Sequence, residues 1–358
     1  MTLMTFSDDL RKNLALRFEW HAKNIYGVSS VNSSPLYEQL SLGVASDPEV
    51  LSLVAEADLS QQVSNLLFGA VHFLLLSGAS SSLAEFYPSL STNPRSPDDA
   101  YPYFRAFCLE HADRIRQLVT TQRVQTNEVR RCTGLMLAFG VVAQRSGDRP
   151  LAIVEIGPSA GLHLLWDKYG YDYGDTGYVG DHASPVQLSC VAQGNLRPFL
   201  PAVLPRVAYR TGIDLAPIDV RDDKAIRWLR ALIWPEHIDR ASLLEKAVQV
   251  ARLDPPKIVS GDAGVLLPGV LSNVPTDMAL CVYHSYTLNQ CPQPTREKII
   301  ELLQTFAQER DFYRISLEWF SGQQQPHLEL FTYRRGRVEN ELLAYCESHG
   351  RMIEWLHT

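Results

Sequence analysis

The chain predicts an α/β protein: an all-helical domain over residues 1–148, followed over residues 149–358 by a domain built on a mostly parallel sheet. Three patterns carry this reading. Early apolar residues such as Leu10, Leu14, Phe18, Ala22 and Ile25 recur every three or four positions, which places them on one helix face. The segment Leu151–Ile156 is apolar except for Glu155. It runs directly into the turn Gly157-Pro158-Ser159-Ala160-Gly161, after which Leu162, Leu165, Trp166 and Tyr169 recur at helical spacing. Three later strand-like runs, over 207–218, 257–263 and 278–285, also carry polar residues at their ends.

Within the helical part, a helix is expected to start at Asp47-Pro48, with proline in the first turn. Residues 65–76 form a strongly apolar helix that stops near Gly78, and 94–102 is a proline-rich connection. Two more helices follow over about 103–121 and 127–144, with Thr126 placed to cap the second. The polar run 145–150 marks the domain boundary. Beyond it, an insertion over about 166–206 is rich in tyrosine, glycine and aspartate. Its Tyr169, Tyr171 and Tyr173 suit either a lid over a ligand or a packed surface loop. The helix at about 295–309 connects to strands at 315–319, 327–333 and 351–355, with a hairpin turn at 334–337.

Composition limits the classes of function. At 20% charged and 46% hydrophobic residues, the chain is that of a folded protein with room for two domains. Its net charge of −7 argues against a general polyanion-binding surface, so nucleic acid is not an expected partner. The six cysteines form no C-x-x-C pair, and no metal site is expected. Asp8, Asp9, Arg11 and Lys12 interrupt any signal-peptide pattern, and no apolar run reaches membrane-spanning length. A cytoplasmic location and a small-molecule substrate are the expectation.

The turn after Ile156 admits two chemistries. Glycines allow close backbone approach to a ligand, and the exposed N–H groups of a helix start favour electron-rich groups. The same residues also read as G-x-S-x-G, a nucleophile elbow with Ser159 as a hydrolase nucleophile and Asp262 and His284 completing a triad in order.

Residues 149–358 resemble the class I S-adenosylmethionine-dependent methyltransferases, through Glu155, Gly157, Ser159 and Gly161, then Asp214, then Gly261-Asp262-Ala263, in that order. The resemblance implies a Rossmann-like sheet of seven strands whose last two form an antiparallel hairpin. It also implies S-adenosylmethionine as cofactor, held by Glu155, Gly157, Ser159, Gly161, Asp214, Asp262 and Ala263. Asp214 would take the ribose hydroxyls and Asp262 the adenine amino group. Nearly the whole chain also resembles a bacterial family of uncharacterised proteins. The shared segments are Phe18-Glu19-Trp20-His21-Ala22, Ser34-Pro35-Leu36-Tyr37, Val124 to Cys132, Ser159-Ala160-Gly161-Leu162 and Ala183-Ser184-Pro185-Val186.

In the methyltransferase topology His284 ends the fourth strand beside the transferable methyl group, where a neutral imidazole can take a proton from an acceptor. Tyr286 would act with it, and Asn289 would orient the acceptor. Asn127, Glu128 and Arg131, at the start of a buried helix, are further substrate-binding candidates, with Trp20 and His21 as lid elements.

Overall fold

The structure is a computed structural model that describes residues 7–27, 33–147 and 149–357; Asp148, at the expected boundary, lies outside them. Its helices are α1 (Asp8–His21), α2 (Pro35–Ala45), α3 (Pro48–Ser52), α4 (Val63–Leu76), α5 (Ala100–Glu110), α6 (Ala112–Thr121), α7 (Cys132–Arg145), α8 (Asp223–Ala231), α9 (Ile238–Leu253), α10 (Ala263–Ser272) and α11 (Gln293–Phe306). The strands are β1 (Leu151–Ile156), β2 (Gly170–Asp172), β3 (Tyr178–Gly180), β4 (Gln187–Ser189), β5 (Val191–Gln193), β6 (Val207–Asp214), β7 (Ile258–Ser260), β8 (Ala279–Ser285), β9 (Phe312–Glu318), β10 (His327–Arg334), β11 (Arg337–Cys346) and β12 (Met352–Trp355).

Two compact units form, and their boundary differs from the one the sequence suggests. The helical unit runs to Thr126 and then takes back Asp222–Ser242, while the sheet unit is Asn127–Arg221 with Leu243–Thr358. The returning segment is bound by specific contacts. Glu236 accepts the Leu36 amide at 3.0 Å and the Ser34 hydroxyl at 2.7 Å, so a carboxylate 200 residues from Leu36 caps α2. Trp228, Ala231 and Leu232 join the helical core, and the Trp228 indole donates to the Arg123 carbonyl at 2.9 Å. By contrast α7, read from sequence as part of the helical domain, belongs to the sheet unit. Its Phe139 ring stacks on Trp166 at 4.7 Å and meets Tyr283 edge-on at 5.1 Å.

The main sheet has nine strands in the order β5-β12-β11-β10-β9-β8-β1-β6-β7, not the seven expected. Strands β7, β6, β1, β8 and β9 are parallel, β9 to β12 form an antiparallel meander, and β5 adds in parallel to β12. The additional strand β11 escaped sequence reading because its first half, Arg337 to Asn340, is exposed and lacks apolar alternation. The turn at Arg335-Gly336 therefore joins β10 to β11 rather than to the last strand. The insertion contributes β5 and a separate sheet, β3-β2-β4. Its Tyr169, Tyr171 and Tyr173 are buried, with hydroxyls donating to the carbonyls of Leu162, Trp166 and Thr133 at 2.8, 2.6 and 2.6 Å. Those rings serve packing and are not an exposed lid.

His72, inside the helical core, sets a pH dependence. Its Nδ1–H donates to the Ala231 carbonyl at 3.1 Å and its Nε2 accepts the Ser89 hydroxyl at 2.8 Å, which satisfies the neutral ring. Burial lowers its pKa from 6.5 to about 4. Between those values the unfolded chain binds a proton that the folded chain refuses, so stability falls as pH drops through this window. The difference amounts to about 3 kcal/mol once the lower value is reached. Urea midpoints should therefore decline from about pH 6.5 downward, and less steeply in His72→Gln; equal slopes in the two proteins would contradict the assignment.

Candidate functional site

The parallel strands β1 and β8 are neighbours, and from β1 the chain proceeds to β6 on one side before crossing to β8 on the other. The carboxyl ends of β1 and β8 thus form a topological switch point, the place where open α/β sheets hold ligands. Most residues singled out from the sequence lie at these ends, and three carboxylates organise them.

Glu155 is buried within β1. One oxygen accepts the Tyr283 hydroxyl at 2.9 Å, and the other faces His163 Nδ1 at 3.2 Å. His163 Nε2 meets the Glu128 carbonyl oxygen at 2.8 Å, a contact in which Nε2–H donates. Glu155 therefore sits beneath the turn, braced by two side chains. Glu128 is also buried. Its own carboxylate, rather than Thr126, caps the helical turn that leads into α7, accepting the Arg130 amide at 3.3 Å.

Asp214, at the end of β6, holds the turn from the side. One oxygen accepts the Ser159 amide at 2.7 Å and the other the Ala216 amide at 2.8 Å. Asn127 adds a third tie, donating from Nδ2 to the Pro158 carbonyl at 3.0 Å. Within the turn Gly157, Ser159 and Gly161 have φ of +76°, +54° and +73°. A Cβ at Gly157 would collide with Thr287, and one at Gly161 with Pro256, so these glycines are needed for close packing as well as for backbone angle. The helix expected after the turn is a short 3-10 segment, Leu162–Lys168, broken at Leu165. Asp262 is exposed at the end of β7 and caps α10, accepting the Gly264 amide at 2.7 Å, with Ala263 as the first helical residue.

Glu318, at the end of β9, is the third carboxylate. It accepts His284 Nδ1–H at 2.6 Å and the amides of Thr287, Leu288 and Asn289 at 3.0, 3.0 and 3.1 Å. Burial raises its pKa, but the bond and charge of His284 and the amide donors outweigh that and hold it below the usual carboxylate range. His284 is buried as well, and desolvation lowers its pKa despite Glu318. Its Nε2 faces Arg314 Nη1 at 3.4 Å, so the nitrogen a base would use points at a guanidinium. The ring ties β8 to β9.

Tyr286 follows with φ +53°. The Arg131 guanidinium lies 3.7 Å over its ring while Arg131 Nε donates to the Ser348 carbonyl at 3.0 Å. Burial pushes the Tyr286 phenol up to about 12, against the pull of Arg131. Asn289 donates from Nδ2 to the Trp319 carbonyl at 3.3 Å. The structure thus gathers Glu155, Gly157, Ser159, Gly161, Asp214, Asn127, Glu128, Arg131, His284, Tyr286 and Asn289 around the ends of β1, β6 and β8. It forms no Ser159–His284–Asp262 hydrogen-bonded triad: the bonded partners of His284 are Glu318 and Arg314, and the Ser159 hydroxyl is buried without a partner among the described residues. Trp20 and His21 lie in the helical unit. Trp20 is 54% exposed, and His21 Nδ1 is 2.7 Å from the Arg17 carbonyl oxygen of its own helix.

Residues 24–355 match a family model described as "Uncharacterized protein conserved in bacteria (DUF2332)". The chain belongs to this family. No curated protein matches it. The DUF2332 span takes in every candidate residue above except Trp20 and His21. Among the described residues of this DUF2332 chain, no helix is long and apolar enough to cross a membrane, and no group of three or more His, Cys, Asp or Glu is placed to hold a metal ion.

Glu318, Arg314 and His163 were not singled out by sequence. Glu318 carries the signal that drew attention to Glu155, a carboxylate at the end of a buried strand. A Glu318→Gln variant keeps the shape but sets a donor against one of the donors that Glu318 now receives. Its urea stability should fall by about 1–3 kcal/mol; an unchanged midpoint would show that the turn does not depend on this carboxylate.

Proposed function

We propose that the sheet unit binds S-adenosylmethionine at the carboxyl ends of β1, β6, β7 and β8 and directs its methyl group to a small-molecule acceptor. The carrying observation is a coincidence of strain with topology. Among the described residues three non-glycines have positive φ; one, Arg335, is in the β10–β11 turn, and the others, Ser159 and Tyr286, close the two strands of the switch point. Backbone strain that a fold maintains at such a position is a mark of a ligand site.

The residues present suit this ligand in kind. A carboxylate offers about four acceptor positions. Asp214 spends two, on Ser159 and Ala216, and keeps the others for the ribose hydroxyls. Asp262, exposed at the end of β7, is available to the adenine amino group. Ser159 Oγ and Asn127 Oδ1, buried without partners among the described residues, are further hydrogen-bonding atoms at the turn. Glu155, engaged with Tyr283 and His163, supports the turn from below. The bound cofactor supplies an electrophilic methyl group.

The chain's contribution is position. Methyl transfer to a nucleophile that needs no deprotonation depends mainly on alignment, which suits a site whose His284 is turned toward Arg314 and Glu318. In this reading His284 acts through Glu318 on the turn that carries Tyr286 and Asn289, and those two orient the acceptor. Arg131, stacked on Tyr286, holds that ring.

Calorimetric titration with S-adenosylmethionine and S-adenosylhomocysteine tests the proposal. Asp214 is a poor variant because its loss also frees two amides of the turn. Asp262→Ser retains a helix cap and should weaken binding by about tenfold or more. No heat with wild type at millimolar ligand would overturn the proposal.

One observation favours a second reading, esterase chemistry: Ser159 occupies a G-x-S-x-G turn between strand and helix with φ +54°. That reading expects hydrolysis of p-nitrophenyl acetate that Ser159→Ala abolishes; activity that survives the substitution removes it.

A further inference from the structure

Three hydroxyls deep in the helical unit, those of Tyr37, Ser41 and Tyr87, have no hydrogen-bond partner among the described residues, although the residues are only 2%, 0% and 0% exposed. Tyr37 adjoins each of the other two residues. Tyr37 and Ser41 are one turn apart on α2 and share a face. The Tyr37 and Tyr87 rings meet edge-on with centroids 6.4 Å apart. A helical serine ordinarily returns its hydroxyl to the carbonyl one turn back, as Ser77 does to Phe73 at 2.7 Å. Ser41 makes no such bond.

The nearby polar groups are bonded to other atoms and to none of these three hydroxyls. Glu236 is bonded to Ser34 and Leu36, both nitrogens of His72 are taken by Ala231 and Ser89, and the Tyr26 hydroxyl is bonded to Ser64 and Asn65. Burial holds both phenols far above their usual titration range, so each stays a neutral group able to donate and accept. A buried hydroxyl without a partner bears its desolvation cost uncompensated, and three together are a heavy load on one helical unit.

We infer that Tyr37, Ser41 and Tyr87 together bind a buried water molecule that links α2 to the segment around Tyr87. Water is the ligand that matches the site: a buried water usually makes about three hydrogen bonds to groups otherwise unpaired. The three hydroxyls carry no charge to select an ion. Phe68, Phe86 and Phe104, at 0–1% exposure, belong to the same apolar core.

The inference has a test whose sign decides. If the hydroxyls share a water, Tyr37→Phe, Ser41→Ala and Tyr87→Phe each break a bridge, and each should lower the Tm of the full chain by a few degrees. The triple variant should then lose less than the sum of the single losses. If the hydroxyls are dry and unpaired, each substitution removes a desolvated group, and Tm should hold or rise with additive effects; that outcome overturns the inference. These changes delete single oxygens and preserve packing shape. A crystal structure of wild type provides the second readout: water density within about 2.6–3.2 Å of all three oxygens is expected, and density showing each hydroxyl bonded to a protein group instead would overturn it.

Discussion

The sheet unit depends on how the backbone N–H groups at the ends of parallel strands are satisfied away from water. Each parallel strand ends in a turn whose amides have left the ladder, and a buried unpaired amide is costly. Here carboxylates on the strands supply the missing acceptors. Asp214 takes one amide of the turn after β1 and one just beyond its own strand, and Glu318 takes three successive amides of the turn after the neighbouring strand. These acids are spared much of the cost of burial because amide dipoles and a histidine surround them.

Such bracing explains how positive φ persists at Ser159 and Tyr286. Side chains at these angles cost free energy, and a free loop would relax. Asp214 holds the Ser159 amide, Asn127 holds the Pro158 carbonyl, and the Tyr286 amide donates to the Leu317 carbonyl at 2.9 Å. Thr287 closes on Gly157 so tightly that no side chain fits there, which couples the turn after β1 to the turn after β8. The two strained positions are therefore parts of one packed assembly.

Much of this was legible from sequence because burial leaves a direct mark. The buried strands β1 and β8 appear as apolar runs, and Glu155 stands out against the first, while Asp214 closes the buried Thr211-Gly212-Ile213 end of β6. Pairings between distant residues leave no such mark. Nothing near His284 announces Glu318, 34 residues later, or Arg314, so the sequence shows a strand-end histidine without the partners that hold its ring. The unit boundary was hidden for the same reason. An apolar helix such as α7 reads alike whether sheet or helices cover it, and the return of 222–242 rests on Glu236 reaching α2 from far along the chain. Strand β11 was missed through exposure, since a strand whose outer half faces water needs no hydrophobic alternation.

The remaining acceptor capacity of the carboxylates separates the structural part of this constellation from the part able to bind. Glu318 receives four donors, His284 and three amides, which fills a carboxylate. Glu155 faces two side-chain partners and is shut off from solvent. Asp214 receives two amides, and Asp262 is exposed with a single amide bonded to it. Unfilled and reachable acceptors thus lie at Asp214 and Asp262 and not at Glu318. A diol and an exocyclic amine would find unfilled acceptors on β6 and β7. On the β8 side the Glu318 carboxylate is filled by the protein's own donors, while the Ser285 hydroxyl and Asn289 Oδ1 are buried without a partner among the described residues.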